Sequence, residues 1–415
     1  MKFLGNVLAV IVGLFVFGIV AMLIFFGIIG LVASSSEKEV TLEENSILHL
    51  DLNGRTLVER TSEEDLVFGS FLDPFGGENT AGLVNLKKAI GEAKTNENVK
   101  GIYLNAGLFG AGQAGLLELR EALIDFKTSG KFIVAYDEAY SEGGYFLASV
   151  ADEIYLNPLG GIDFNGFSSE GIFLKGFFEK VGIKPEVFRV GEFKSAVEPF
   201  ILDKMSPENR LQTQYFLDDI NNHALELIAK SRGIAQDSLI RINHQMLVRK
   251  PKDAVTYKLA TALKYEDEVH SILKEKLGLK EDDQIATINA TDLGGMAKSK
   301  NITSSNRIAV IFAEGEIVDG NADGAISSEK FAKEIRKARK DENIKAIVLR
   351  VNSPGGSILA SDVIWREMSL AKKAKPVVVS MGDVAASGGY YIACDADKIY
   401  ASPTTLTGSI GVFGI

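Results

Sequence analysis

Hydrophobic and polar positions follow the same order in two parts of the chain, and this order predicts an α/β fold. In the first part Leu86, Ile90 and Ala93 recur at helical spacing, which predicts an amphipathic helix. Apolar runs at 101–104 and 132–136 predict buried strands on either side of a second helix, and a Gly-Gly helix start follows. Strands that alternate with helices indicate a largely parallel sheet.

The second part repeats the first at a fixed offset of 245 residues. The segment NENVKGIYL at 96–104 aligns with DENIKAIVL at 341–349. Without a gap, EGGYFLASVADEIYLNP at 142–158 aligns with SGGYYIACDADKIYASP at 387–403. A repeat at one fixed spacing predicts two copies of one structural unit, here called copy one and copy two.

The N-terminus has a different pattern. Residues 7–33 form a nearly continuous apolar run of 27 residues, which is long enough to cross a bilayer with some tilt. Lys2 is the only charged side chain before this run, and the positive-inside rule therefore favours a cytoplasmic stub with the rest of the chain outside. A cleaved signal peptide is the alternative, but its apolar region would be shorter and would end in a small-x-small site. We predict a retained anchor.

Between the two copies, copy one carries a longer extension. GEFKSAVEPF follows a strand-like stretch at 185–190, and Ser206-Pro207 then reads as a helix cap with proline at the first helical position. A helix of about 25 residues is expected from there. Its expected inward positions are Leu211, Phe216, Ile220 and Leu227.

These patterns divide the chain into an anchor and two repeats. By the 245-residue offset the counterpart of Lys194 would be residue 439, so we expect the sequence to be a C-terminally truncated fragment. The predicted segments are a stub at 1–6, the anchor at 7–33, a linker at 34–45, copy one with its extension at 46–297, a linker at 298–306, and copy two at 307–415.

Composition and short motifs argue against several classes of partner and binding site. The net charge of −10 argues against a nucleic-acid partner, which would select basic patches. Cys394 is the single cysteine, so no internal disulfide can form and no cysteine cluster suggests a zinc site. Neither a phosphate-binding G-x-x-x-x-G-K-[ST] motif nor an H-E-x-x-H metal motif is present. The sequence therefore predicts no cofactor and no metal.

Ser387 is the candidate nucleophile. It follows the strand run at 377–379 and begins the helix SGGYY, where free N–H groups of a first helical turn can stabilise an oxyanion. Gly388 and Gly389 leave room for a substrate backbone to approach. The alternative is that Ser387 is only a helix N-cap. In copy one the same position is Glu142, which cannot be a nucleophile of this kind.

A serine nucleophile needs a base, and Lys194 is the best-placed candidate. The four histidines lie in the first half of the chain and none is in a motif-like setting, although a Ser-His-Asp triad stays open. Lys194 lies in GEFKSAVEP, a stretch that we expect to be packed against the rest of the protein. A lysine removed from water can act as a base near neutral pH. The alternative is an ordinary surface lysine.

The turn NSPGG at 352–356 is the candidate oxyanion-binding element. It follows a strand and combines proline with Gly355 and Gly356, so its N–H groups could face Ser387 across a cleft. A plain β-turn is the alternative, since Pro-Gly pairs are common in turns.

Together these motifs resemble the bacterial signal peptide peptidase A family, membrane-anchored serine-lysine peptidases also called protease IV. The resemblance rests on the duplicated form, RVNSPGGS, MGDVAASGGYY, TGSIGVFG and GEFKSAVEPF. It implies that Ser387 is the nucleophile and Lys194 the general base. Ser409 matches the family serine that orients the lysine, and Gly355, Gly356 and Gly388 match the oxyanion hole.

The resemblance also implies a setting and partners. It implies tandem domains of the Clp-protease and crotonase type behind an N-terminal transmembrane helix, in a homo-oligomer suspected to be a tetramer. Substrates would be cleaved signal peptides and other small or unfolded polypeptides. The chain would be a single-pass protein of the bacterial inner membrane, with its catalytic part on the periplasmic side. A crotonase-like acyl-CoA enzyme and an inactive membrane-anchored scaffold are the alternative functions.

Overall fold

The computed structural model describes residues 2–35, 42–61, 80–296 and 304–415. The predicted linkers at 34–45 and 298–306 lie partly outside these ranges, as does Met1 of the predicted stub. Two compact units divide the chain, one covering residues 1–43 and the other residues 44–415. Both predicted repeats fall within the second unit.

The first unit contains helix α1 (Lys2–Ser35). Its side chains at residues 10–24 are all exposed. Over the residues that the structure describes, however, no helix meets the length and apolarity that a membrane crossing requires. The anchor at 7–33 stays a prediction.

Copy one forms a parallel sheet in the strand order β8-β6-β5-β4-β1-β9. Helix α2 buries the Leu86, Ile90 and Ala93 positions that its sequence period predicts. The elements of copy one, before its extension, are β1 (Ser46–Asp51), β2 (Thr56–Val58), β3 (Thr80–Gly82), α2 (Leu83–Thr95), β4 (Val99–Asn105), α3 (Gln113–Lys127), β5 (Phe132–Tyr140), α4 (Glu142–Ala148) and β6 (Glu153–Ile162).

The extension is mostly helical and adds two edge strands to this sheet. Its elements are α5 (Lys175–Lys180), β7 (Phe188–Arg189), a 3₁₀ turn (Ser195–Val197), α6 (Glu198–Ile201), α7 (Pro207–Arg232), α8 (Gln236–His244), α9 (Pro251–Thr256), β8 (Ala262–Leu263), α10 (Glu266–Leu277), β9 (Thr287–Asn289) and α11 (Ala290–Met296).

Helix α7 begins and ends where its sequence predicts. The Ser206 side chain accepts a hydrogen bond from the Asn209 N–H, Pro207 takes the first helical position, and Gly233 ends the helix at φ 64°. The expected inward face is wrong in part, because Leu211 is 52% exposed. The residues that α7 buries include Asn221 and Leu225. This face packs on α8 and lies beside Phe146 and Phe164 of copy one.

Copy two forms a second parallel sheet in the order β10-β13-β14-β15, with β16 also paired to β14. Valine, isoleucine and leucine side chains of these strands form its core with α12 and α13. The elements are β10 (Arg307–Glu314), β11 (Ile317–Val318), β12 (Ile326–Ser327), α12 (Ser328–Lys340), β13 (Ile344–Ser353), α13 (Ile358–Lys372), β14 (Val377–Ala386), α14 (Gly388–Ala393), β15 (Lys398–Tyr400), β16 (Leu406–Gly408) and β17 (Phe413–Gly414).

Buried polar contacts join the two copies. Arg350 on β13 donates to the Glu59 carboxylate at 2.9 Å and lies 2.7 Å from a carboxylate oxygen of Glu118 on α3. Asp383 on β14 accepts the N–H groups of Ala114 and Gly115, at 2.7 and 2.9 Å, and so caps α3 from the other copy. The two sheets are therefore held in one orientation near the turn at 352–356.

Candidate active site

Ser387 lies between the end of β14 and the start of α14 in a strained backbone conformation. Its φ of 53° and ψ of −117° are unusual for a residue with a side chain. The Ser387 N–H donates to the Gly408 carbonyl at 2.9 Å, and its own carbonyl accepts the Tyr391 N–H at 2.9 Å. These bonds hold the strained turn in place. The hydroxyl is thereby presented at the first turn of α14.

Lys194 comes from the extension of copy one and reaches the same place. Its Nζ lies 3.5 Å from the Ser387 hydroxyl oxygen, and it donates to both the hydroxyl and the carbonyl oxygen of Ser409 at 2.8 Å. The structure therefore brings together three residues that the sequence separates by up to 215 positions.

Burial of the Lys194 amine disfavours a positive charge. The residue is only 8% exposed, and burial lowers the pKa of its amine. Its Nζ lies 5.9 Å from the centre of the Phe413 ring, which would weakly attract a positive charge, so the lowered pKa comes from burial and not from the ring. Among the described residues, no carboxylate forms an ion pair with this amine. A lysine in this setting can lose its proton more easily than a surface lysine.

A buried carboxylate holds the segment that carries Lys194. Glu198 is fully buried and accepts hydrogen bonds from the Ser206 N–H, the Ser206 hydroxyl and the Asn209 side chain. Burial alone would raise the pKa of Glu198, but these bonds lower it overall. Arg189 lies 3.7 Å from the same carboxylate and donates to the Lys194 carbonyl at 3.3 Å.

Sequence reasoning missed this support, although Glu198 lies inside the GEFKSAVEPF motif. The strand at 185–190 is also shorter than expected, since β7 covers only Phe188–Arg189. It pairs antiparallel with β17, which follows Ser409 by four residues. The lysine segment of copy one is thus joined by strand pairing to the Ser409 segment of copy two.

The glycines at 355, 356 and 388 lie against one another beside Ser387. A Cβ added to Gly355 would stand 2.5 Å from the Gly388 nitrogen, and one added to Gly388 would stand 3.3 Å from the Gly356 nitrogen. The Gly355 N–H donates to the Ser353 hydroxyl at 3.1 Å. Within the described part of the chain, the N–H groups of Gly356 and Gly388 have no acceptor. They are available to an oxyanion.

A cavity of about 730 Å³ opens in front of Ser387. Apolar and aromatic side chains line much of it, together with the glycines of the turn. Its side walls are formed by the first turn of α13, by α14 and by the segment after Ser409. The residues that give it this character are Ile358, Tyr390, Tyr391, Ile410, Val412 and Phe413.

The described ranges hold no cluster of three or more histidine, cysteine or carboxylate side chains that could bind a metal ion. His49, one of the four histidines, lies on β1 of copy one, where its Nε2 is 2.7 Å from the Asn105 side-chain oxygen. Cys394 is exposed and lines the cavity in front of Ser387.

Comparison with known proteins finds similarity to peptidases. The sequence profile of peptidase family S49 matches residues 125–280 and 369–415, which include Lys194, Ser387 and Ser409. Protease 4 of Salmonella typhi is 38% identical over 96% of this chain and 66% of its own length. Protease 4 of Haemophilus influenzae is 36% identical over 92% of this chain and 64% of its own length.

A plant protein is also similar. The chloroplastic serine protease SPPA of Arabidopsis thaliana is 36% identical over 80% of this chain and 50% of its own length. The chain therefore spans between half and two thirds of the length of these relatives.

Proposed function

This chain belongs to the signal peptide peptidase A family, within peptidase family S49, and from that premise we propose that it is a serine endopeptidase with a Ser387–Lys194 dyad. The observation that carries the proposal is the position of the Lys194 amine, which is buried, free of a carboxylate partner in the described residues, and 3.5 Å from the Ser387 hydroxyl. A neutral amine at that distance can accept the hydroxyl proton, because catalytic contacts tighten when substrate binds.

In the first step the Ser387 oxygen attacks the scissile carbonyl while its proton moves to Lys194 Nζ. Negative charge then develops on the carbonyl oxygen. We assign its stabilisation to the N–H groups of Gly356 and Gly388, which have no acceptor within the described residues. The Gly355 N–H is engaged by Ser353, so Gly355 serves by leaving space beside Gly388.

Collapse of the tetrahedral intermediate breaks the peptide bond and leaves an acyl group on Ser387. The protonated Lys194 gives its proton to the departing amine and becomes neutral again. A water molecule then attacks the acyl-enzyme, with Lys194 taking a proton from it as it did from Ser387. When this second tetrahedral intermediate collapses, the bond between the acyl carbon and the Ser387 oxygen breaks, that oxygen takes the proton back from Lys194, and the second product leaves with a new carboxyl group.

The substrates proposed are cleaved signal peptides and other small or unfolded polypeptides. The apolar lining of the 730 Å³ cavity supports this choice, because signal peptides contain a hydrophobic core that such a cavity would accept. We further propose a single-pass inner-membrane protein, anchored through residues 7–33, with its peptidase part in the periplasm. A homo-oligomer, with a tetramer as the expected form, completes this proposal.

The test uses the purified protein with a fluorogenic signal-peptide substrate. Ser387→Ala and Lys194→Ala should each lower kcat/KM by about 10³-fold or more, since members of a catalytic unit fail together. A fluorophosphonate should label Ser387 and no other residue. Undiminished hydrolysis in either variant would contradict the dyad.

The same experiment separates the alternative functions. An acyl-CoA enzyme of the crotonase type would hydrolyse acyl-CoA or hydrate its double bond without labelling at Ser387. An inactive scaffold would neither cleave peptides nor react with the fluorophosphonate.

A further inference from the structure

The strand that leads to Ser387 has one more residue in copy two than its counterpart has in copy one. Ser380 on β14 and Tyr136 on β5 occupy the same place in their sheets, because each pairs with a tyrosine of the next strand and the 245-residue repeat aligns these two tyrosines. Ser387 follows Ser380 by seven positions, whereas its counterpart Glu142 follows Tyr136 by six. The extra residue therefore falls within 381–386. An extra residue disrupts strand pairing locally and leaves backbone groups that need other partners.

The Asn352 side chain supplies one of these partners. Between the pair that contains Val351 and the pair that contains Ser353, β13 advances by two residues while β14 advances by four. Within this irregular stretch the side-chain oxygen of Asn352 accepts the Val384 N–H at 3.1 Å. Asn352 is also the first residue of the turn at 352–356. One side chain thus connects this turn to the strand that leads to the nucleophile.

Asp383 determines which way the Asn352 amide faces. Its Oδ2 accepts a hydrogen bond from the Asn352 side-chain NH₂ at 3.5 Å. If the amide were turned over, its NH₂ would face the Val384 N–H and its oxygen would face the carboxylate, so donor would oppose donor and acceptor would oppose acceptor. The bond from the Val384 N–H to Asn352 therefore depends on an acceptor at position 383.

The Asp383 carboxylate is in turn held by copy one. Its Oδ1 accepts the N–H groups of Ala114 and Gly115 at 2.7 and 2.9 Å, at the start of α3. Gly112, the N-cap of α3, has no side chain that could accept these bonds, and a Cβ there would collide with the Asp383 carboxyl carbon. The N-terminus of a helix favours a negative charge, so the carboxylate is fixed from two sides. Copy one is the support against which Asp383 rests.

The pair of Asp383 and Asn352 accompanies the nucleophile. By the 245-residue repeat Asn352 corresponds to Gly107, which has no side chain. Counted back from Ser387, the position of Asp383 corresponds to Glu138, whose side chain is exposed. Copy one, which lacks the nucleophile, therefore also lacks the pair. A contact that served only to hold a sheet together would be as useful in either copy.

We propose that Asp383 is a positioning residue that acts through Asn352 to hold the turn at 352–356 at its distance from Ser387. This inference rests on the proposed function, because it concerns the geometry of the same site. The nucleophile follows β14, whereas the Gly356 N–H belongs to the turn after β13, and a scissile carbonyl has to reach both at once. A misplacement of about 1 Å in such an arrangement can cost about 10²-fold in rate. Copy one then contributes to catalysis twice, through the general base and through the support that α3 gives.

The test exchanges the two side chains. Asp383→Asn sets two NH₂ groups against each other, and Asn352→Asp sets two carboxylates against each other. The double variant Asp383→Asn/Asn352→Asp restores a donor opposite an acceptor, and the carboxylate at 352 can still accept the Val384 N–H. Hydrolysis of the fluorogenic signal-peptide substrate gives kcat and KM, with the active enzyme counted by fluorophosphonate titration. Glu118→Gln is the matched control, because it removes a different contact between the copies, the one to Arg350 at 2.7 Å.

Each single variant should lower kcat by about tenfold or more and change KM little, because positioning acts on the transition state. The double variant should recover kcat to within about threefold of the parent, since the two changes compensate each other. Asn352→Ala leaves the contact of Asp383 with α3 in place and should lower kcat by a similar factor, so the test stands even if changes at position 383 prevent folding. Glu118→Gln should lower the urea midpoint of unfolding and leave kcat at the parental level.

Two results would overturn the proposal. Parental kcat in Asn352→Ala, or a double variant no more active than the single ones, would make Asp383 a contact between the copies and nothing more. Failure of the dyad itself would show differently, as peptide hydrolysis that Ser387→Ala does not abolish.

Discussion

The Lys194 amine donates to both oxygens of Ser409, the hydroxyl and the carbonyl, at 2.8 Å each. A neutral primary amine has two N–H donors and one lone pair. When Ser409 accepts both donors, the lone pair is left for a third neighbour, and the Ser387 hydroxyl is 3.5 Å away. In the mechanism proposed above, Ser409 would therefore orient the Lys194 amine as well as bind it.

Ser409→Ala should lower kcat/KM by about 10-fold to 100-fold, because it removes one of the two hydrogen bonds that set the direction of the lone pair. The remaining carbonyl bond should preserve part of the activity, so the loss should be smaller than in Lys194→Ala. Steady-state kinetics on the signal-peptide substrate measures the effect. Ser402→Ala, in the same segment but bonded to Thr404, is the control. Equal activity in Ser409→Ala and Ser402→Ala would remove Ser409 from the mechanism.

The pH dependence of kcat/KM should report the titration of Lys194. Burial lowers the pKa of this amine, so its neutral, active form should appear at a lower pH than for a surface lysine. Activity should rise with pH through that lowered pKa and fall as pH drops below it, where the amine is protonated.

Lys194→Arg provides the matched comparison, because arginine stays protonated and cannot accept the Ser387 proton. We expect the Lys194→Arg variant to be inactive at every pH at which kcat/KM is measured. A rising limb at the pKa of an exposed lysine, or measurable activity in Lys194→Arg, would speak against Lys194 as the base.

Gly355→Ala should close the space beside the proposed oxyanion site. Gly355 has a φ of 95°, and a Cβ there would stand 2.5 Å from the Gly388 nitrogen. Gly320→Ala is matched for backbone strain, since Gly320 has a φ of 79° and a Cβ added there would meet no atom within 4 Å. Gly355→Ala should lower kcat by about 10²-fold or more while Gly320→Ala retains near-parental activity. Similar kcat values in the two variants would show that strain, and not access to the oxyanion site, is responsible.

Much of the local structure around the candidate site could be predicted from the sequence, because its motifs are local. Ser387 and Gly388 follow a strand and open a helix, and both features are encoded within a short stretch of chain. The amphipathic period of α2 likewise identified its buried face. Where one face of a helix or strand packs on a continuous core, the spacing of apolar residues is sufficient to identify the buried face.

Contacts between distant segments could not be predicted in this way. Arg350 and Glu59 are 291 positions apart, and each is an ordinary charged residue in its own segment. The burial of Asn221 could not be predicted from the sequence either. It depends on the side chain of Asn243, to which Asn221 donates a hydrogen bond at 3.1 Å. Polar residues of this kind become buried only when tertiary structure supplies their partners.

The contact between Glu59 and Arg350, which joins the two copies, should make the stability of the folded protein depend on pH. Burial raises the pKa of Glu59 to about 7, although the Arg350 charge opposes the rise. Glu314 and Glu118 also face this carboxylate, and the Glu59 N–H donates to Glu314. Because the pKa is higher in the folded state than in the unfolded chain, Glu59 contributes stability that is complete at low pH. That contribution is lost as pH rises through about 7.

Glu59→Gln should therefore flatten the pH dependence of stability between about pH 4.5 and pH 7, since the amide cannot titrate over that range. Urea unfolding of the purified protein at several pH values measures the free energy of unfolding directly. Glu118→Gln is the control: burial raises the pKa of Glu118, but Lys87 and Arg350 lower it overall, so this carboxylate is already ionised where Glu59 titrates. Its replacement should leave most of the pH dependence in place, because Glu118 is a smaller cause of the raised pKa of Glu59 than burial is. If Glu59→Gln kept the slope of the parent, the titrating group would have to lie elsewhere, and the contact between Arg350 and Glu59 would be insensitive to pH.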